Sequence, residues 1–167
     1  MGTIISGHNK KILNNRNKTT NTSAPTCNCH RPAECPLEGK CLQEAVVYKA
    51  TVTTNTTTKT YIGSTEQTFK QRWYGHKSDL THAENKNKTT LANYFWRCVE
   101  KGETPSIKRA IVKKWRKYKY GTRVCDICLS EKLCILTAKQ PLINKRSELM
   151  GRCPHRRKWR LQQVSTQ

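Results

Sequence analysis

Arg72 and His76 stand four residues apart in a stretch patterned as a helix, just downstream of Tyr61-Ile62-Gly63-Ser64. Four residues is close to one helical turn, so the guanidinium and the imidazole share a face. A permanently charged planar fork beside an imidazole, at the mouth of a strand-to-helix turn, can hold a phosphate. Glu131 is the second candidate. On a helical wheel it lies between Ile127 and Cys134, while Leu129, Leu133 and Leu136 cover another side. A helix apolar almost all round is expected to bury part of that carboxylate, which then needs a partner or a metal. The plainer alternative is a surface salt bridge to Lys132 or a loop arginine.

Nine cysteines are many for this length. The first 25 residues lack the apolar core of a secretory signal, so the sequence predicts a chain that is not secreted, and metal binding takes precedence over a disulfide scaffold. Cys27, Cys29, Cys35 and Cys41 bring four soft ligands close together, which fits a structural Zn²⁺, with His30 able to replace one of them. Cys125-x-x-Cys128 and Cys153-x-His155 form a second group of four. If it closes on a second zinc, it pins the basic tail beside the start of the Glu131 helix; otherwise these are buried free thiols. Cys98 and Cys134 fall at apolar helix positions and read as core.

The elements that must position these groups follow from the patterning. Ala45 to Thr53 is β-branched and strand-like, Asn55 to Thr58 is a turn, and Lys59 to Ile62 returns as a second strand. Gly63 reads as a tight corner, and Ser64 or Thr65 as the cap of a helix over Glu66 to Leu80, with Phe69, Trp73 and Leu80 on one face. A second helix is capped at Thr90 with Leu91, Tyr94, Phe95 and Cys98 as its stripe. A third strand covers Ser106 to Trp115, and a third helix covers about Asp126 to Ala138. The expected organisation is a flexible arm (1–24), a cysteine-rich zinc segment (25–44), an α/β domain (45–148) and a basic tail (149–167). The fold class is α/β, with a small three-stranded antiparallel-type sheet flanked by helices.

Thirty-two basic against 11 acidic residues give a net charge of +21, which points to a polyanionic partner. Lys108, Arg109, Lys113, Lys114, Arg116 and Lys117 form one basic run, and Arg156, Arg157 and Lys158 belong to another. Trp115, Tyr118, Tyr120 and Trp159 interleave with them. Such stretches bind phosphates without reading sequence, and they also fit nuclear import signals. No apolar run approaches the roughly 20 residues of a membrane helix, so no membrane partner is expected.

The order Val46-Val47-Tyr48, Tyr61-Ile62-Gly63, Arg72 with His76, Glu131, then Asn144 resembles the GIY-YIG nuclease family over roughly residues 45–148. Val46 stands where the family's first motif has glycine. The wording of three further segments resembles the endonuclease end of Penelope-like retroelement polyproteins: Cys27 to Cys41, Cys125 to Lys132 and Leu142 to Leu149, with Cys153-Pro-His155 after them.

The resemblance implies hydrolysis of a DNA phosphodiester with one catalytic Mg²⁺ or Mn²⁺ held by Glu131; the partner expected is DNA, with RNA as the lesser alternative. Arg72 would contact the scissile phosphate. Tyr48 would activate or position the attacking water, Tyr61 would orient water or phosphate, and His76 would share proton transfer. A tyrosine titrates near about pH 10, so Tyr48 as a base needs its phenolate favoured by cations, for which Lys59, Arg72 and His76 are candidates. The reading requires both phenols, the guanidinium and the acid to converge, the acid not lying on the far side of the sheet. Two other classes remain open: a non-catalytic nucleic-acid-binding module and a zinc-stabilised protein-interaction module.

Overall fold

A computed structural model describes residues 26–119, 122 and 124–155. The expected arm over 1–24 and the tail cations Arg156, Arg157 and Lys158 lie outside the described residues. The elements are β1 (Val46–Thr53), β2 (Thr58–Thr65), α1 (Phe69–Thr81), α2 (Thr90–Glu100), β3 (Ser106–Lys114), α3 (Asp126–Leu136) and the short α4 (Arg146–Met150).

The sheet is antiparallel with order β2-β1-β3, so β1 is the central strand. Tyr48 pairs with Gly63 and Ala50 with Tyr61 across β1–β2, while Tyr48 pairs with Ile111 and Ala50 with Arg109 across β1–β3. Strand alternation then sorts the core into two layers. Val46, Tyr48, Ala50, Val52 and Tyr61 pack with Phe69, Trp73 and Leu91 on one face. Val47 and Ile62 pack with Ile127 and Cys128 of α3 on the other.

Two expectations about the β2–α1 junction are corrected. Gly63 is no corner: it lies inside β2, which runs on to Thr65. It is glycine because a Cβ there would sit 2.7 Å from Tyr48 Oη and 2.9 Å from Tyr61 Cε1, closer than real contacts allow. Nor do Ser64 and Thr65 cap the helix. Thr68 does, accepting from the Gln71 amide while the Gln71 side chain reaches back to the Thr68 N–H, a reciprocal capping box. The left-handed backbone position near the first motif is Ala45, with φ 51°, while Val46 is a regular, fully buried strand residue.

The outer edge of β2 is closed by residues 141–144. Thr60 N–H donates to Pro141 O at 2.9 Å, and Ile143 N–H donates to Thr60 O at 2.9 Å. Asn144 continues the ladder with its side chain: Oδ1 accepts from Ile62 N–H and Nδ2 donates to Ile62 O, both at 2.8 Å. The carboxamide thus imitates a peptide unit and satisfies an edge strand that would otherwise be open. Glu148 holds Asn144 in place, accepting from Nδ2 at 2.9 Å and from the Thr90 hydroxyl at 2.8 Å. The boundary expected at 148/149 therefore falls inside α4.

Candidate active site and metal centres

Tyr48 is fully buried, and its hydroxyl stands between two side chains of α1. Arg72 Nε donates to it at 3.1 Å, and His76 Nε2 lies 2.7 Å away. Register explains the convergence: Tyr48 sits opposite Gly63, whose bare Cα leaves room for the phenol, and α1 packs Phe69, Trp73 and His76 over the same face. The Tyr48 ring meets Phe69 edge-on at 5.2 Å and Tyr61 at 6.5 Å between centroids.

The electrostatics differ from the expectation. Burial pushes Tyr48 above the ordinary tyrosine value, although the charge and hydrogen bond of Arg72 oppose it. Tyr61 is pushed up as well, by burial and by Tyr48. Burial and then Arg72 lower His76 to about 4, so its imidazole is neutral at pH 7 and adds no cation. Lys59 is also absent from the site; its ammonium lies 5.4 Å over the Tyr94 ring. Of the three proposed cations only Arg72 serves the phenol, and desolvation wins. Because Tyr48 Oη already accepts from Arg72 Nε, its own hydrogen points to His76 Nε2 when the neutral imidazole carries its proton on Nδ1.

Glu131 is half-buried on α3. Its Oε2 accepts from the Ser64 hydroxyl at 2.8 Å, Lys132 turns instead to Gly151 O, and among the described residues no ion pair includes Glu131. Burial raises its pKa; Ser64 and the charge of Arg72 oppose this, and Glu148 adds to it. Here the topology departs from the requirement stated above. Ser64 has the parity of Ile62, so Glu131 approaches from the face opposite both phenols. Bonded to Ser64, the residue after Gly63, it lies within electrostatic reach of Arg72, Tyr48 and Tyr61.

Both cysteine groups close. Cys27–Cys35 and Cys29–Cys41 Sγ atoms lie 3.6 Å apart and Cys41–Cys27 3.5 Å. A tetrahedral site with Zn–S near 2.3 Å has S···S edges of about 3.8 Å, whereas a disulfide needs about 2.05 Å. The Cys29 and Gly39 amides donate to Cys27 and Cys35 sulfurs at 3.3 and 3.1 Å. Burial alone would push Cys35 up, but amide and thiol donors outweigh it and bring it down to about 6. His30 is exposed and outside the group. In the second group, His155 Nδ1 lies 3.4, 3.2 and 3.7 Å from the sulfurs of Cys125, Cys128 and Cys153. Its Nε2 faces Glu66 Oε2 at 3.6 Å, and Glu66 Oε1 accepts from Tyr118 N–H at 2.8 Å. Among the described residues these two sets are the groups of three or more ligating side chains able to hold a metal ion.

Each metal-ready group adjoins a helix carrying a candidate side chain. Phe69 and Lys70 amides at the start of α1 donate to Gln43 and Cys41 carbonyls at 2.8 Å, two residues before Arg72. Cys125 precedes α3 and Cys128 lies one turn before Glu131.

The basic run does not form one surface. Lys108 and Lys113 point to the α3 face, Arg109 and Lys114 to the α1 face, and Lys117 pairs with Glu44 at 2.8 Å. Arg116 is exposed in the segment after β3. Among the described residues no helix is long and apolar enough to cross a membrane.

Sequence reading missed Ser64 as the partner of Glu131, and Asn144 and Glu148 as the edge clamp. Alternation from Ile62 was the available signal for Ser64. No family model matches the chain, nor does any curated protein or solved structure. Fold and site therefore define a class in chemical terms: a three-stranded antiparallel α/β domain with a buried phenol–imidazole–guanidinium cluster and two thiol-rich groups able to hold a metal.

Proposed function

We propose that the chain is a divalent-metal-dependent DNA endonuclease of the GIY-YIG type, of retroelement origin, with structural zinc in both cysteine groups. Glu131 lies on the sheet face opposite the phenols, and its electrostatic coupling to Arg72, Tyr48 and Tyr61 stands in place of convergence on one face. The observation that carries this reading is the Tyr48 hydroxyl held between Arg72 Nε and His76 Nε2. A water admitted to Tyr48 Oη with the substrate would lose a proton to that oxygen as the Tyr48 proton passes to His76 Nε2, so no free phenolate is needed. The lowered pKa of His76 means that the imidazole relays this proton rather than storing it. This accommodates the raised pKa of Tyr48, which a resting phenolate would not. Arg72, which also reaches Tyr61, offers its remaining N–H donors to the scissile phosphate and supplies fixed positive charge as the oxyanion develops. Tyr61, beside Tyr48 on the same face, orients the water or the phosphate.

A catalytic Mg²⁺ or Mn²⁺ fits Glu131. The carboxylate has one oxygen tied to Ser64, and burial makes an adjoining cation favourable for it. Mg²⁺ suits a lone carboxylate because it keeps most of its waters. Bound there, the ion would stabilise negative charge on the leaving oxygen.

Mg²⁺-dependent nicking of supercoiled plasmid by the full chain tests the reading. Arg72→Ala and Tyr48→Phe should each lower the rate by at least about 100-fold. Rates equal to wild type in both would reject the assignment. The second reading, a nucleic-acid binder without catalysis, is favoured by one observation: α3 and Glu131 pack on the face opposite both phenols. Binding without Mg²⁺-dependent cleavage selects it. Action on chromosomal DNA further implies a nuclear location, for which the basic runs supply import signals.

A further inference from the structure

A cleft of about 750 Å³ lies between the cysteine-rich segment and β3, with Pro36, Leu37 and Lys40 on one wall and Ile107 to Ile111 on the other. Among the described residues β3 pairs only with β1, so this wall is an open sheet edge. Arg109 projects from it on the α1 face. Its Cζ lies 4.6 Å from the Trp73 ring centroid, and its Nε is buried without a hydrogen-bond partner. Among the described residues, none of the ion pairs includes Arg109. A guanidinium beside an indole, partly desolvated and facing the Cys35 sulfur rather than a carboxylate, keeps N–H donors for an anion. Lys40 adds positive charge to the lining and Lys108 borders it from the other face of the sheet, against Glu38 and the Cys35 thiol. Arg109 links the cleft to the helix of the active site, because the Trp73 ring it contacts lies 6.0 Å from the His76 ring.

We propose that this cleft is a track for the sugar–phosphate backbone of a nucleic-acid strand, with Arg109 as its anchoring donor. This rests on the nucleic-acid reading above but not on cleavage. An open strand edge also accepts peptides, yet the excess of cations on the walls favours a polyphosphate.

The test is fluorescence anisotropy of a labelled DNA duplex with the zinc-loaded full chain, Mg²⁺ omitted, across a salt series. Arg109→Ala should bind about 10-fold more weakly and reduce the slope of log affinity against log salt by about one. Arg109→Lys should restore the slope but not the full affinity. Zinc content and melting temperature should match wild type in both. Unchanged affinity and slope in Arg109→Ala would overturn the proposal, as would a loss that tracks zinc release. Competition by polyglutamate as strong as by DNA at equal charge would assign the cleft to an acidic peptide instead. Wild-type binding without Mg²⁺-dependent nicking would reject the nuclease and leave the cleft standing.

Discussion

Tyr48 Oη and His76 Nε2 meet at 2.7 Å inside the core, with Tyr48 fully buried and His76 2% exposed. The contact makes the imidazole part of the folding equilibrium. Its pKa falls from 6.5 in the unfolded chain to about 4 in the fold, through burial and then Arg72. The unfolded state therefore binds more protons between those values, and stability rises with pH there. His76 contributes its full share above pH 6.5 and loses it as pH falls through about 4, on the order of 3 kcal/mol in all. Urea unfolding between pH 4 and 7 should show this slope, and His76→Gln should flatten it. A slope unchanged in the variant would mean that the imidazole is not held neutral.

Gly63→Ala places a methyl group 2.7 Å from Tyr48 Oη and 2.8 Å from Tyr48 Cζ. The phenol is fixed by two hydrogen bonds and cannot swing aside cheaply. Destabilisation of about 1–3 kcal/mol is expected, together with loss of cleavage. Chemical denaturation reads the first and plasmid nicking the second. A variant as stable and active as wild type would show that Tyr48 is not lodged against β2.

Metal content separates the two cysteine groups. Plasma emission spectrometry on protein purified without chelator should find two zinc ions per chain, one for each four-ligand group. Cys35→Ser and Cys128→Ser should each remove one. Chelation should also abolish cleavage even with Mg²⁺ restored, because one group adjoins the start of α1 and the other the start of α3. Zinc-free protein of undiminished activity and stability would contradict the structural role.

Ser64→Ala removes the hydroxyl that donates to Glu131 Oε2. That bond lowers the Glu131 pKa against its burial, so the variant carboxyl should titrate higher. A group that supports a metal ligand typically affects metal affinity by about 10–100-fold, and the Mg²⁺ concentration for half-maximal cleavage should rise by a factor in that range. An unchanged Mg²⁺ requirement would show that Ser64 does not position this acid.

Much of the fold was legible because periodicity carries it. The β-branched run from Ala45 and the partial alternation from Ser106 gave β1 and β3 nearly to the residue, and the cysteine spacings anticipated two groups that do close. The β2–α1 junction was misread because a glycine followed by hydroxyl residues looks locally like a turn and a cap. Only the partner strand reveals that Gly63 makes room for Tyr48, and Thr68 with Gln71 supplies a better cap three residues on. The face on which Glu131 lands was likewise out of reach, since it depends on which side of the sheet α3 crosses. Burial of Tyr48 had a similar fate. The nearby cations were visible in the sequence, but the desolvation that outweighs them is a property of the packed core.

Glu131→Ala is the most direct measurement on the central claim, made with zinc-loaded full chain on supercoiled plasmid across a Mg²⁺ series. The account predicts Mg²⁺-dependent nicking by wild type and none by the variant, with matched melting temperatures and matched DNA affinity. Equal nicking by both proteins, with contaminating nuclease excluded by a Tyr48→Phe preparation, would contradict it.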